Sequence, residues 1–350
     1  VDSNPYASKE FLHQLLSTAI AAEASDTHLK VGQPPGVRVG GEIVYFKVDK
    51  LRPDDTYALA RQVLGAKGTP DFMEEMFEHD TSYSVGGLGR FRVNVYKQRG
   101  TFAVVMRSIP VKVPTLEALG QPKPIRDLAM QERGFVLVVG ATGSGKTTTL
   151  AAMLNHINQH RSRNIVTIED PIEFLHPDKR SCVSQREVGL DTSAFAPALR
   201  AALRQDPDVI LVGEIRDSET MQIAVQAAET GHLVFSTMHT PDVSRTVNRL
   251  LALSENPLEL RERIGDCMRG IVAQRLVPKI DGGLALCQEI LIVTGTVREA
   301  IKRPEANPPL KELMERGVTP YGMQTFQMAM KRLVKQGIVS KETAHSYLGN

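Results

Sequence analysis

Apolar positions in the first hundred residues recur at two different spacings. Between 8 and 24, Phe11, Leu12, Leu15, Leu16 and Ile20 return every three to four residues, the period of a helix with one buried stripe. Ser8 stands where its N-cap belongs. Short strand-like runs follow at 27–31 and 37–39, then a Gly40-Gly41 turn and a run at 42–46. Pro53-Asp54-Asp55 opens a second helical stretch over 52–64. Runs at 81–85, 90–96 and 101–109, with Gly86-Gly87-Leu88-Gly89 between the first two, resemble an antiparallel meander. Residues 1–109 therefore read as a small α+β unit. Four prolines, Pro110, Pro114, Pro122 and Pro124, then break the pattern, and 110–124 reads as a linker.

The pattern changes character from Gly134 onward. Phe135 to Val139 is wholly apolar; a glycine loop and a helical stretch over 146–160 follow it. Strand-like runs at 164–168, 209–212 and 233–237 alternate with helical stretches at 195–204 and 218–230. Alternation of this kind predicts a parallel α/β sheet. The remainder, about 258–350, reads as mostly helical with one strand-like stretch near 284–293. Within it Met323, Phe326, Met330, Leu333 and Val334 share a helical face, which reads as packing surface rather than a cofactor box.

Composition narrows the class. At 350 residues, and ~150 per domain, the chain has room for two cores. Apolar content of 42% and charged content of 23% exclude disorder over most of the length. Lys+Arg 42 against Asp+Glu 40 leaves +2, too little for a basic nucleic-acid stripe or an anionic membrane surface. Aromatic content of 5% with no Trp supplies few stacking platforms for single strands, so no nucleic-acid partner is expected. No apolar run approaches the ~18 residues of a membrane span. Val1 to Pro5 shows no basic flank before an apolar stretch, so no signal peptide is read there. Cys182, Cys267 and Cys287 are far apart and odd in number, which fits a reducing compartment and argues against a disulfide framework or structural zinc.

One motif carries specific chemistry. Gly140-Ala141-Thr142-Gly143-Ser144-Gly145-Lys146-Thr147 fits G-x-x-x-x-G-K-[ST] between a buried strand and a helix. Glycines at 140, 143 and 145 let backbone N–H groups converge on phosphate oxygens, and the helix start at Lys146 adds its positive dipole end. Lys146 would reach β/γ-phosphates, and the Thr147 hydroxyl, followed by Thr148, would ligate Mg²⁺. ATP and Mg²⁺ are the expected ligands.

Polar groups also stand where the next strands end, the edge at which parallel sheets bind ligands. Glu169, Asp170 and Glu173 follow one strand, and Glu214 follows Val209 to Val212. His232 and His239 flank the strand at 233–237. A carboxylate so placed can orient or deprotonate an attacking water, or hold a water on Mg²⁺. Glu214 is the better base candidate, because a short aliphatic run before an acid is the Walker B pattern. The Asp usual in that pattern is absent: Gly213 occupies its place and Asp208 precedes the run. Mg²⁺ is then expected on Thr147 and waters, with Glu169, Asp170 or Glu214 behind them. The same acids also read as helix caps or solvated loop charges, and the histidines as structural ones.

Taken in order, four segments resemble the secretion-ATPase superfamily of bacterial type II secretion and type IV pilus motors. GATGSGKTTTLAAML at 140–154 is similar to its Walker A, and TIEDPIEF at 167–174 to its Asp box. LRQDPDVILVGEIRD at 203–217 is similar to its Walker B, and AAETGHLVFSTMHT at 227–240 to its His box. ASDTHL at 24–29 is similar to its amino-terminal signature. The short amino-terminal part and the lack of a tetracysteine element resemble the pilus-retraction branch, the PilT/PilU group. So does Gly322-Met323-Gln324-Thr325-Phe326. The retraction segment AIRNLIRE is only loosely echoed by Thr296 to Arg303.

The resemblance implies a RecA-like P-loop ATPase core, a PAS-like amino-terminal domain and a helical carboxy-terminal part. It implies a homohexameric motor at the cytoplasmic face of the inner membrane that drives pilus retraction and twitching motility. Its partners would be an inner-membrane platform protein and a paralogous motor. It further implies that His232 and His239 sense the γ-phosphate and that Arg92 and Arg107 reach phosphates as arginine fingers, with Arg90 and Arg99 as lesser candidates. An accessory or assembly ATPase, a nucleic-acid translocase and a non-catalytic nucleotide-binding scaffold are the competing readings.

Overall fold

The computed structural model describes residues 5–110 and 112–348. Residues 1–4, Val111 inside the expected linker, and the last two residues of the expected helical part lie outside the described residues. The chain divides into two compact units, 1–112 with 173–175, and 113–172 with 176–350.

The first unit is an antiparallel sheet with helices on it. Its strands are β1 (Asp26–Lys30), β2 (Gly36–Val39), β3 (Glu42–Tyr45), β4 (Glu78–Val85), β5 (Gly89–Gln98) and β6 (Thr101–Ser108), in the order β3-β2-β1-β6-β5-β4. Along β5 the side chains alternate: Phe91, Val93 and Val95 are fully buried, while Arg92 between them is exposed. The helices Lys9–Ala21 and Pro53–Leu64 supply Leu12, Leu16, Leu59 and Val63 to the same core. Ser8 caps the first of them, its hydroxyl accepting from the Phe11 N–H at 3.4 Å.

The second unit is built on one mixed sheet. Its strands are β7 (Gly134–Val139), β8 (Asn164–Glu169), β9 (Cys182–Glu187), β10 (Val209–Val212), β11 (Leu233–Met238), β12 (Met268–Pro278) and β13 (Leu284–Ile292), in the order β13-β12-β7-β11-β10-β8-β9. Only the β12–β13 pair is antiparallel. Every residue of β7, β10 and β11 is buried, as expected of strands covered on both faces. Register brings the carboxyl ends to one edge: Val139 lies opposite Met238, and Val212 opposite both Ser236 and Ile168. The loops after β7, β8, β10 and β11 therefore open on a common edge. Side-chain caps start the helices nearby: Asp217 accepts from the Thr220 N–H and Asp242 from the Arg245 N–H, each at 2.8 Å.

Four features of the second unit differ from the sequence expectation. The part from 258 onward is not mostly helical at its start, because β12 is an 11-residue strand running straight on from the helix Pro257–Cys267. The edge strand β9 was not expected, nor the helix Val243–Ala252. Residues 113–124 belong to the second unit: Leu116 is fully buried with Ile125, Val136 and Leu150, and the helix Lys123–Ala129 begins there. Asn155 Nδ2 donates to the Pro114 carbonyl at 3.2 Å, fixing this stretch to the helix Lys146–His160.

His176, between β8 and β9, gives the second unit an acid-sensitive point. Burial, helped by the Lys179 charge, lowers its pKa from 6.5 to about 4. Both states are neutral above pH 6.5, and only the unfolded chain gains the proton as pH falls from 6.5 toward 4, so stability drains across that window. His176→Gln should reduce the loss of stability between pH 7 and pH 4.5 by on the order of 1–2 kcal/mol, read from urea midpoints of both proteins at each pH. An unchanged pH dependence would count against this.

Candidate active site

The loop after β7 reverses the chain from a buried strand into the helix Lys146–His160. Gly140 has φ +148°, and a Cβ there would lie 2.5 Å from both the Gln274 carbonyl oxygen and Ser144 Oγ. No side chain fits at that position. Gly143 at φ +77° and Gly145 at φ +85° adopt the left-handed conformation, and a Cβ on Gly143 would meet nothing within 4 Å. The loop thus leaves open space on one side and close backing by β12 on the other. Lys146 is 8% exposed, and its Nζ donates to the Gly140 and Ala141 carbonyls at 2.9 and 3.0 Å. Ser144 Oγ is buried and finds no hydrogen-bond partner. An orphaned hydroxyl, a buried ammonium and a helix start facing one cradle fit an anion.

Behind the loop lies a set of neutral amides. Gln274 Nε2 donates to the Ser144 carbonyl at 3.2 Å. Gln288 Nε2 donates to Gln121 Oε1 at 2.9 Å and Gln274 Oε1 at 3.2 Å, and Gln121 Nε2 donates to Thr149 Oγ1 at 3.1 Å. Gln324 Nε2 donates to the Gln288 carbonyl at 2.9 Å, and Gln324 Oε1 accepts from Arg332 Nη1 at 3.0 Å. All four glutamines are buried, so each amide bonded here is one not left unsatisfied. Beside the loop a cavity of about 670 Å³ is lined by Gly145, Thr148, Thr149, Gln121, Leu276 and Arg332, among others.

Beyond β10 stands Glu214. Its side chain is 11% exposed; Oε1 pairs with Arg216 Nη2 at 2.5 Å, and Oε2 lies 3.4 Å from His239 Nε2 without accepting a hydrogen bond. The backbone around it is pinned between neighbours. Gly213 N–H donates to the Ile168 carbonyl at 2.8 Å, and Ile215 N–H to the Thr237 carbonyl at 3.0 Å. Thr237 Oγ1 donates to the Gly213 carbonyl at 2.7 Å. A Cβ on Gly213 would lie 3.1 Å from the Ile168 carbonyl, so the glycine found where an Asp is usual sits in a tight place. Asp208 is at the other end of β10, bonded to Arg163 and to the Asn164 N–H.

The structure groups some candidates and separates others. Glu214 and His239 meet at the carboxyl edge. Glu169 ends β8 there, 7% exposed, and accepts from Thr167 Oγ1 at 2.6 Å and Gln185 Nε2 at 3.0 Å; Asp170 follows it, exposed. Thr147 and Thr148 are half-buried on the first turn of the loop helix. His232 stands elsewhere, which corrects the expectation that both histidines lie near the same group. It precedes β11, its carbonyl accepts from the Gly134 N–H where β7 begins, and its Nδ1 bonds the Ala227 carbonyl at 2.9 Å. A six-residue strand at ~3.3 Å per residue separates it from His239.

Glu173, Arg92 and Arg107 belong to the first unit. Arg92 and Arg107 are cross-strand partners on the exposed face of the sheet, and Arg107 Nε donates to Asp26 Oδ1 at 2.8 Å. Burial raises the Asp26 pKa, but hydrogen bonds from Ser25 and Arg107 outweigh it and hold the carboxyl below its usual range. Sequence reading passed over Arg216 and the glutamines, none of which has a spacing signature of its own. Among the described residues no cluster of three His, Cys, Asp or Glu could hold a metal, and no helix is long and apolar enough to cross a membrane.

Comparison with known proteins adds a family. Residues 4–319 match the family described as type II/IV secretion system protein. The chain is 42% identical over 333 residues to the type IV pilus retractation ATPase PilT of Pseudomonas aeruginosa, covering 95% of this chain and 96% of that protein. It is 38% identical to the type IV pilus ATPase PilU of the same organism, covering 95% and 87%. The crystal structure of the pilus retraction motor PilT with bound ADP superposes with a TM-score of 0.85 at 43% identity, covering 95% of each chain.

Proposed function

The chain belongs to the type II/IV secretion system protein family, and on that premise we propose that it is the motor ATPase of type IV pilus retraction. The observation that carries this is the meeting at one sheet edge of an anion cradle and a buried carboxylate with one bare oxygen. The glycine loop takes the phosphates of ATP on its backbone N–H groups. Lys146 turns from its own loop carbonyls toward the β/γ-phosphates, and the adjoining cavity has room for the nucleoside. Glu214 orients the attacking water and receives its proton, and His239 faces the same oxygen.

Mg²⁺ would be held by the hydroxyl of Thr147, half-buried on the first turn of the loop helix, with phosphate oxygens and waters supplying the rest. When bound it would neutralise charge spread over the transferred phosphoryl group. Glu169 and Asp170 are placed to hold its waters. The assembly is a homohexamer working on an inner-membrane platform protein, and loss of the γ-phosphate is the event that releases the subunit for its next step.

Deleting the coding gene should give cells that bear long or abundant pili and do not twitch, while the purified chain hydrolyses ATP only with Mg²⁺. Bald cells would instead indicate assembly. A second reading, an accessory motor beside a principal one, is favoured by the 38% identity to PilU and by the loose match of Thr296 to Arg303 to the retraction segment. Under it the deletion strain would still retract its pili at reduced force.

A further inference from the structure

Glu214 is fixed by its backbone but not by its own three rotatable side-chain bonds. The hydrogen bonds of Gly213 and Ile215 to β8 and β11 hold the main chain on either side of it. What stops the carboxylate from swinging is Arg216, two residues on, at 2.5 Å from Oε1. Arg216 is 68% exposed on its side chain, so its half of the pair lies in solvent and the attraction is screened, which limits what the pair contributes to folding. The geometry, not stability, is what it changes.

Resting on the reading of Glu214 above, we propose that Arg216 is its positioning residue: the guanidinium occupies one carboxylate oxygen and keeps the other unbonded for the attacking water of the nucleotide-bound state. Three features of the structure support the division of labour. Oε2 is buried and accepts no hydrogen bond, while Arg216 satisfies its twin. His239 faces that bare oxygen from the end of β11. Asp170, beyond β8, also attracts the Arg216 guanidinium, so two acids at this edge draw the arginine to its place. Arginine suits this place because its planar fork fixes the direction of the carboxylate, which a lysine point charge does less well.

The test is steady-state and single-turnover ATP hydrolysis by the full chain carrying Arg216→Ala, Arg216→Lys, Glu214→Gln, or Arg216→Ala with Glu214→Gln. Arg216→Ala should lower kcat by about 10- to 100-fold, the scale of a misplaced catalytic group, with KM for ATP within about twofold. Arg216→Lys should recover part of the loss. In the Glu214→Gln background Arg216→Ala should cost almost nothing more, since there is no base left to aim. A kcat for Arg216→Ala at or above the wild-type value would overturn the proposal, and so would an equal loss in both backgrounds. A rise in KM matching the loss in rate would also overturn it, by assigning Arg216 to nucleotide binding. Wild-type turnover in Glu214→Gln alone would sink the assignment of Glu214 whatever Arg216 does. Thermal unfolding of each variant serves as the control, and a melting point shared with wild type is expected for all of them.

Discussion

Lys146→Ala is expected to lower ATP turnover by about a thousandfold or more, a loss of about 4 kcal/mol in transition-state stabilisation. The size follows from where the ammonium sits. Lys146 is 8% exposed and spends two donors on the Gly140 and Ala141 carbonyls, so its charge is held close to the phosphate cradle and away from bulk water. In that setting a positive charge acts on phosphoryl oxygens with little screening. Alanine removes the charge and leaves two loop carbonyls without their donor, so nucleotide affinity should fall as well, by at least tenfold. Calorimetric titration with ADP and a coupled hydrolysis assay read the two losses separately. Turnover within tenfold of wild type would show that the phosphates are held somewhere else.

Glu214→Gln should separate binding from chemistry. The substitution preserves size and leaves an oxygen for Arg216, but removes the group that accepts a proton from water. General bases contribute about 10²- to 10⁴-fold, so kcat should fall within that range while a non-hydrolysable ATP analogue binds within a few-fold of wild type. Loss of analogue binding in step with turnover would move Glu214 from the water to the nucleotide. Together the two variants give opposite signatures, one failing to hold ATP and the other holding it unspent.

Much of this site was legible from local pattern. The loop at 140–147 could be placed because glycine spacing, a buried strand before it and a helix after it are all consecutive in sequence. Glu214 was legible for the same reason: four aliphatics run directly toward it. What lay beyond reach were relations between distant positions. His232 and His239 look alike as strand flanks, and only the sheet shows that the ends of β11 face opposite edges. β12 was hidden because it follows a helix without a break and carries Gln274 and Arg275 in its middle, and β9 because an exposed edge strand of sequence CVSQRE has no apolar run. The pairing of Arg107 with Asp26 joins residues 81 apart, which no periodicity announces. Leu116, amid prolines, looked like connecting chain until its burial was seen.

The chain of glutamine amides behind the phosphate loop carries no formal charge from Gln274 to Gln324. Such groups neither titrate nor gather counter-ions, so the shape they impose on the loop is indifferent to acidity and to salt. Across the cradle, the Glu214–Arg216 contact is an ion pair whose arginine side chain is 68% exposed, so salt reaches it. The molecule therefore shapes its phosphate loop with neutral groups and holds its reacting carboxylate with a charged one, so ionic strength can act on the rate of hydrolysis without altering the form of the loop.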